Sequence, residues 1–513
     1  MKRSNAFRIA VISIIVLLII LLLRNCSGDS TTERAENFKI DQSYLSIPPE
    51  ATFIAVFNTP EIMDDVGFEE LRKTNSYLQN LQASYNQNPP FARVFNDPEG
   101  VGIDVQKKSV FYLSVGTEAD EVYTNTIFAL ADLSAFEIAI SKSGKGKFKQ
   151  NENFKHLVID SNSSVAWNDK FASFVSTISS YDKIKIFNRC FIDSNTKYFD
   201  YNNKFYDHIF NNKSDFSFWG DFTSYSKNQL HASGKPGEIN SFLLRGNVIY
   251  GDANFNEGEI DANIRFDFNK LISLAQDKLF KDGYDTKILE LTPDKFPSFL
   301  LNTSLNIDGL FSIILNDIDL KLEARNSLAN FGLTLDDLSK AIEGDMLFTA
   351  YPSEEPGKSS TIFGVKIKDH VHFKVLLDVW QGLNSITLED TDLYRINKGS
   401  VPFFPIRATY PDKLQRLLIK GDYAYVSLDK KVIDYIYSDT KSIEFDQRLL
   451  LDKNEKEILL SGYIDSRIEE VNKITKDFNI KEVKFNYENE NLELNFKFQN
   501  SKTNALKQIF TMK

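Results

Sequence analysis

Cysteine and histidine are scarce in this chain of 513 residues, and the scarcity removes whole classes of chemistry. Only Cys26 and Cys190 are present, one next to an apolar N-terminal run and the other deep in the chain. No disulfide framework, redox pair or zinc cluster can be built from them. An unpaired thiol in an exported protein reads as a small buried hydrophobe. There are five histidines, and only His370 and His372 lie close together. They fall two apart at a predicted helix start, where neighbouring residues point to different sides, so no metal site is assigned to them.

Also missing is any excess of positive charge. The net charge is −11 with both signs interspersed, which excludes the basic stripe of a nucleic-acid-binding protein. No Gly-x-Ser-x-Gly elbow, HExxH pair or glycine-rich dinucleotide fingerprint occurs. The Gly-Lys-Ser within Glu354–Ser360 lacks the earlier glycine of a phosphate loop, Pro352 standing in its place. Ser143–Lys149 reads as a basic loop. The run from Asp193 lacks the glycine and glutamate of a calcium loop. The acidic pairs Asp64-Asp65, Glu69-Glu70, Asp336-Asp337 and Glu469-Glu470 lie on polar helical stretches and read as solvated faces. No catalytic residue, metal ligand or cofactor site follows from the sequence.

What is present starts at the N-terminus. Lys2, Arg3 and Arg8 precede Ile9–Leu23, where only Ser13 is not strongly apolar. Fifteen residues of helix span about 22 Å, against a hydrocarbon core of roughly 30 Å. Arg8 and Arg24 can extend such a span by snorkelling. The alternative is a lipoprotein leader with Cys26 as the lipidated residue, Leu23 three positions before it and Ser-Gly-Asp-Ser after it. Arg24 and Asn25 are larger than that leader normally carries, which weighs toward a retained helix. On either reading the basic flank places the rest of the chain outside the cytoplasm. Residues 1–26 are thus a signal-anchor helix or lipoprotein signal, and 27–44 a polar linker.

Beyond the linker the chain repeats its own order of elements. "AVFNTPEIMDDV" from Ala55 matches "TSLNIDGLFSII" from Thr303, and "GIDVQKKSVFYLSV" from Gly102 matches "GLTLDDLSKAIEGDMLFTA" from Gly332. "FALADLSAFEIAI" from Phe128 matches "FGVKIKDHVHFKVLL" from Phe363, each a strand, an aspartate cap (Asp132, Asp369) and an amphipathic helix. Two hairpins, from Val165 and Leu417, come next. "SFWGDFTSYSK" from Ser217 then matches "LLSGYIDSRIEE" from Leu459. Last come the alternating strands of Ile260–Phe268 and Leu492–Phe498. Six markers recur in one order at offsets of roughly 230–250 residues. The expected fold is α+β: two divergent internal repeats, 45–290 and 291–513, each an antiparallel sheet with helices on one face. Tyr181–Asn212 has no counterpart in the second repeat, and the aromatic-rich stretch Tyr181–Tyr225, with 14 aromatics, reads as core, with an interaction surface for a sugar, a lipid or a partner as the alternative.

The proline-led strand at Ile47–Asn58, "FALADLSAFE", "VAWND" and "AIEGDMLFTA" followed by "VKIKDHVHFKVLLD" resemble a Bacteroidota envelope family, domain of unknown function (DUF) 4836. The resemblance spans most of the chain after residue 45. It implies an exported, membrane-tethered protein and brings no catalytic residue. The expectation is a non-enzymatic scaffold or adaptor in the cell envelope. It would be held to the membrane by its N-terminal helix or a lipid, face the periplasm or exterior, and engage an envelope protein partner. The alternatives are a module that binds an apolar or carbohydrate ligand between the repeats and, less favoured, a hydrolase with a dispersed site.

Overall fold

The computed structural model describes residues 51–74, 97–115, 122–141, 148–177, 182–191, 204–221, 246–269, 278–281, 283, 285, 287–290, 297–316, 328, 333–352, 359–397, 415–427, 429–438, 460–465, 480–488 and 490–510. Residues 1–26 with Cys26, the linker 27–44, Glu469-Glu470 and the Asp193 run lie outside them. So do 142–147 and 353–358, the greater part of the two glycine-lysine loops. No helix among the described residues is long and apolar enough to cross a membrane. The chain divides into two compact units: 29–269 with 497–513, and 270–496. The sequence reading puts that junction at 290/291.

The first unit is built on ten described strands. They are β1 (Ala51–Phe57), β2 (Ser109–Val115), β3 (Val122–Ala129), β4 (Lys149–Gln150), β5 (Lys155–Val158), β6 (Ser163–Trp167), β7 (Phe171–Thr177), β8 (Phe216–Asp221), β9 (Val248–Asn256) and β10 (Glu259–Asp267). Across the sheet they run β10-β9-β8-β1-β2-β3-β7-β6-β5-β4, every neighbouring pair antiparallel. Valine, isoleucine and aromatic residues fill the central strands, as a pleated surface favours. Before its last segment the described helices are α1 (Thr59–Asp65), α2 (Phe68–Leu71), α3 (Leu133–Ser141), α4 (Lys183–Phe191) and α5 (Tyr206–Phe210).

The sheet is covered on both faces, which corrects the expectation of helices on one face. Ile54, Val56, Tyr112, Ile127 and Val175 pack with Ile186, Phe187 and Cys190 of α4 and Ile209 and Phe210 of α5. Phe128, Val165, Ala172 and Phe174 pack with Phe136 and Ile140 of α3. Adjacent residues Ile127 and Phe128 therefore enter different cores, since strand side chains alternate in direction. The uninterrupted apolar run of "IFALA" carried this signal, because a strand buried on both faces does not alternate. Each fully buried side chain of this size contributes roughly 1.5–3 kcal/mol of burial free energy. The described aromatics Phe187, Phe205, Phe210 and Trp219 of the aromatic-rich stretch lie in the first of these cores.

The second unit also has ten described strands: β11 (Phe299–Ser304), β12 (Ile342–Pro352), β13 (Ser359–Ile367), β14 (Ile386–Asp390), β15 (Leu393–Ile396), β16 (Gln415–Lys420), β17 (Tyr423–Ser427), β18 (Leu460–Asp465), β19 (Ile480–Glu488) and β20 (Asn491–Phe498). From β19 the order is β19-β18-β11-β12-β13-β17-β16-β15-β14, each pair antiparallel, and β20 pairs with β19. Its described helices are α6 (Lys287–Glu290), α7 (Ile307–Asn316), α8 (Leu335–Ala341), α9 (His370–Gly382) and α10 (Lys430–Tyr437). Here too both faces are covered. Phe363, Val365 and Ile367 pack with Phe373, Leu376, Leu377 and Trp380 of α9, while Ile362, Leu347 and Tyr425 pack with Ile433 and Ile436 of α10. At the β12 bulge a Cβ on Gly344 would lie 1.5 Å from the Leu305 carbonyl oxygen, so only glycine lets the two backbones meet.

Candidate functional site

The helix that follows the third strand of each sheet starts at an aspartate. Asp132 Oδ1 accepts the Ala135 N–H at 2.9 Å. Asp369 Oδ1 accepts the N–H groups of Val371 at 2.7 Å and His372 at 3.0 Å. These bonds satisfy donors that a first helical turn leaves unpaired. They also set the helical phase. In α9, Phe373, Leu376, Leu377 and Trp380 recur at the three-and-four spacing and face the core.

That phase sends two valines the other way. Val371 is 73% exposed and Val375 50%, and at four residues apart they are neighbours on the helix surface. Leu383 just past the helix and Leu388 on β14 are 48% and 52% exposed. In α3 the outward apolar residue is Ile138, 54% exposed. Ile138 and Val375 stand equally far beyond their capping aspartates. Their signal in the sequence is indirect: once the inward stripe is assigned, Val371 and Val375 are left on the polar side.

His370 and His372 flank Val371 and make separate contacts. His370 Nε2 lies 3.1 Å from Asp422 Oδ1, and His372 Nδ1 lies 3.3 Å from Asp369 Oδ1. The two imidazoles are not brought onto one point, and no group of potential metal ligands occurs among the described residues.

Among the described residues, a dense charged cluster lies in the second unit. Lys366 Nζ sits 3.0 Å from Asp285, 3.3 Å from Glu343 and 3.8 Å from Asp345. Lys281 reaches Glu343 at 2.9 Å, and the Tyr423 hydroxyl donates to Asp285 at 2.9 Å. Burial opposes ionisation of Asp285, but the Lys287 N–H, Lys366 and Tyr423 outweigh it and hold the carboxyl below its usual range. Glu343 is held low against burial by Lys281 and Lys366. Ionised carboxylates around a lysine stitch the segment at 281–285 to β12 and β13. They do not supply a proton donor poised near neutrality.

A second polar group gathers around the loop before β8. His208 Nε2 lies 3.5 Å from Asp252 Oδ2. The Ser214 hydroxyl lies within hydrogen-bond reach of Asp252 Oδ1 (3.3 Å) and of Asn212 Oδ1 (3.0 Å). Hydroxyl and imidazole lean on one carboxylate rather than on each other, which is not the geometry that activates a serine. Burial lowers the His208 pKa, with Asp252 pulling the other way. Nearby, Asp215 Oδ2 accepts the Phe255 N–H at 2.6 Å. Burial raises Asp215 in spite of that bond, and raises Asp65, to which the charge of Asp215 adds. Lys108 Nζ donates to the carbonyls of Phe210 at 2.9 Å and Asn212 at 2.5 Å, closing the C-terminal end of α5. Burial lowers its pKa to about 8.

The acidic pair Asp336-Asp337 behaves as helix surface. Asp337 closes a capping box with Thr334, and Asp336 pairs with Lys340 at 2.5 Å. Ser359 and Ser360, the described end of the Gly-Lys-Ser segment, lie on β13, so that loop joins two strands rather than a strand to a helix. Cys190 is buried.

No family model matches the chain, and no curated protein matches it. Solved structures do: crystal form I of TP0453, at 8% identity and a TM-score of 0.29, over 45% of this chain and 81% of that one. Crystal form III of TP0453 matches at 8% identity and a TM-score of 0.29, over 48% and 91%. At that TM-score the likeness says nothing of fold or function.

Proposed function

We propose that this chain is a membrane-tethered scaffold of the cell envelope, built from two divergent copies of one α+β plan. In this reading it engages an envelope protein through the outward faces of α3 and α9. The observation that carries the proposal is the pair Ile138 and Val375. Both are large, apolar and at least half exposed, at the same distance from the aspartate that caps their helix. A solvated helix gains nothing from an outward branched apolar residue. A protein interface does, because apolar contacts fill its centre.

The duplication is supported by the strand order, which runs position for position alike in the two sheets. Three of the six sequence markers are strand–helix pairs or hairpins at matching positions: β1-α1 with β11-α7, β3-α3 with β13-α9, and β6-β7 with β16-β17. The other three match single strands, β2 with β12, β10 with β20, and β8 with β18, the last two beside the first strand of their sheets. The tether and the envelope location are supported by the basic flank, the apolar run Ile9–Leu23 and Cys26. The resemblance to DUF 4836 agrees with both.

The test is a gentle detergent purification of the full-length chain, with mass spectrometry of what accompanies it. The expected result is a reproducible stoichiometric envelope protein, lost from the Val371→Asp/Val375→Asp variant while the melting temperature stays within about 2 °C, as for other surface changes. A wild-type chain that purifies alone sinks the scaffold reading. A companion retained by the variant, and by Ile138→Asp, sinks the assignment to these helices. Intact mass of the purified chain distinguishes a diacylated Cys26 from an uncleaved helix.

A further inference from the structure

We infer that residues 498–510 form a clasp that completes the first unit, so that a surface built from residues 66–71 and 255–258 has the chain's own late segment as its partner. The clasp meets the first unit at the turn between β9 and β10. Gly258 has φ +71°, and a Cβ there would lie 2.4 Å from Ser501 Cα. Conformation and clearance both demand glycine. Into the space this leaves, the late segment pairs its backbone. The Gly258 N–H donates to the Thr503 carbonyl at 2.9 Å, and the Phe498 N–H donates to the Gly258 carbonyl at 2.8 Å. Glu257 and Asn504 form an antiparallel bridge.

Asn504 joins two structures at once. Its Nδ2 donates to the Phe255 carbonyl of β9. Its Oδ1 accepts the N–H groups of Leu506 at 2.9 Å and Lys507 at 3.2 Å. The side chain therefore caps the short helix α11 (Ala505–Phe510) while holding it to the sheet. Gln508 Nε2 donates to the carbonyls of Asn500 at 2.7 Å and Thr503 at 2.9 Å, which locks the approach to the helix. Ala505 is fully buried. Leu506 and Phe68 both pack against Val66 and Leu71, which are at most 2% exposed. Lys507 lies 3.8 Å from Glu70.

Backbone pairing, a capping side chain, an apolar contact and a charge pair converge on one short segment far from its partners in sequence. The first unit thus reaches its final structure only when residues 498–510 are in place. This does not depend on the scaffold reading.

Hydrogen exchange of the full-length chain, read by mass spectrometry, tests it with Asn504→Ala and Leu506→Ala. The expected result is exchange faster by about tenfold or more in 59–71 and 253–260, as expected for local opening. Exchange in 359–367 and 423–427 of the second unit should stay unchanged. Asn504→Asp, which keeps the capping oxygen and loses the donor to Phe255, should fall between Asn504→Ala and wild type. Unchanged exchange at 59–71 and 253–260 in both alanine variants overturns the clasp. So does an equal rise in both units, which would mean general loosening. If Asn504→Ala does not accumulate, the Leu506→Ala comparison decides by the same two criteria.

Discussion

Asn125 donates from Nδ2 to the Tyr112 hydroxyl at 2.9 Å, side by side on β3 and β2 and with no solvent access to either residue. The Ser173 hydroxyl donates to Asn125 Oδ1 at 2.8 Å, and Cys190 Sγ lies 3.3 Å from the Tyr112 oxygen and 3.4 Å from Asn125 Nδ2. Burial drives the Tyr112 pKa well up, so the phenol stays neutral and can serve as donor or acceptor. A buried amide of this kind is tolerated because its partners are supplied by neighbouring strands and by α4.

Tyr112→Phe removes one member of that group and leaves the amide with a weaker sulfur contact. A loss of about 1–2 kcal/mol is expected, the usual cost of stranding a buried polar group. Urea unfolding of the full-length chain, followed through the first unit's Trp167 and Trp219, measures it. A Tyr112→Phe protein as stable as wild type would show that the network adds no stability.

Acid should weaken the second unit. Asp285 and Glu343 are held below their ordinary values of 3.8 and 4.5. A carboxylate with a depressed folded pKa contributes stability that is complete above the unfolded value and is lost as pH falls through the folded one. Exchange in 342–352 and 359–367 should therefore begin to rise as pH drops below about 4.5, the higher of those two values, and continue to rise below about 3.8. Lys366→Met, which removes the cation common to the three carboxylates, should lower stability at neutral pH and flatten that acid dependence. An unaltered acid profile in this variant would remove Lys366 from the account.

The first unit should gain stability in alkali. Burial depresses Lys108 from 10.5 to about 8, so between those values the unfolded chain binds a proton that the folded chain has released. Stability from this group therefore rises with pH across that interval. In Lys108→Met, the component of the slope between pH 8 and pH 10.5 that belongs to this lysine should vanish. Denaturant midpoints measured at several pH values over the interval provide the check. A variant with the wild-type slope would contradict it.

Much of the architecture was legible because it is locally encoded. The alternation of Ile260, Ala262 and Ile264 marks a strand, and Asp132 and Asp369 mark helix starts whose hydrogen bonds span only two or three residues. The order of strands and helices along the chain follows from such signals. They depend on a residue and its near neighbours, so the sequence determined them alone, as it did the apolar run and basic flank at the N-terminus.

Other features depend on burial and pairing summed over distant segments. That β8 lies beside β1 and β7 beside β3, that helices cover both faces, and that Val371 and Val375 fall on the open side of α9 are decided by which surfaces remove the most apolar area from water. The carboxylates around Lys366 come from separate stretches of chain, and Gly258 meets Thr503 across almost half of the sequence. Closing such loops costs conformational entropy that no local pattern reveals. Only the tertiary structure, in which that cost is offset by the assembled cores, decided those contacts.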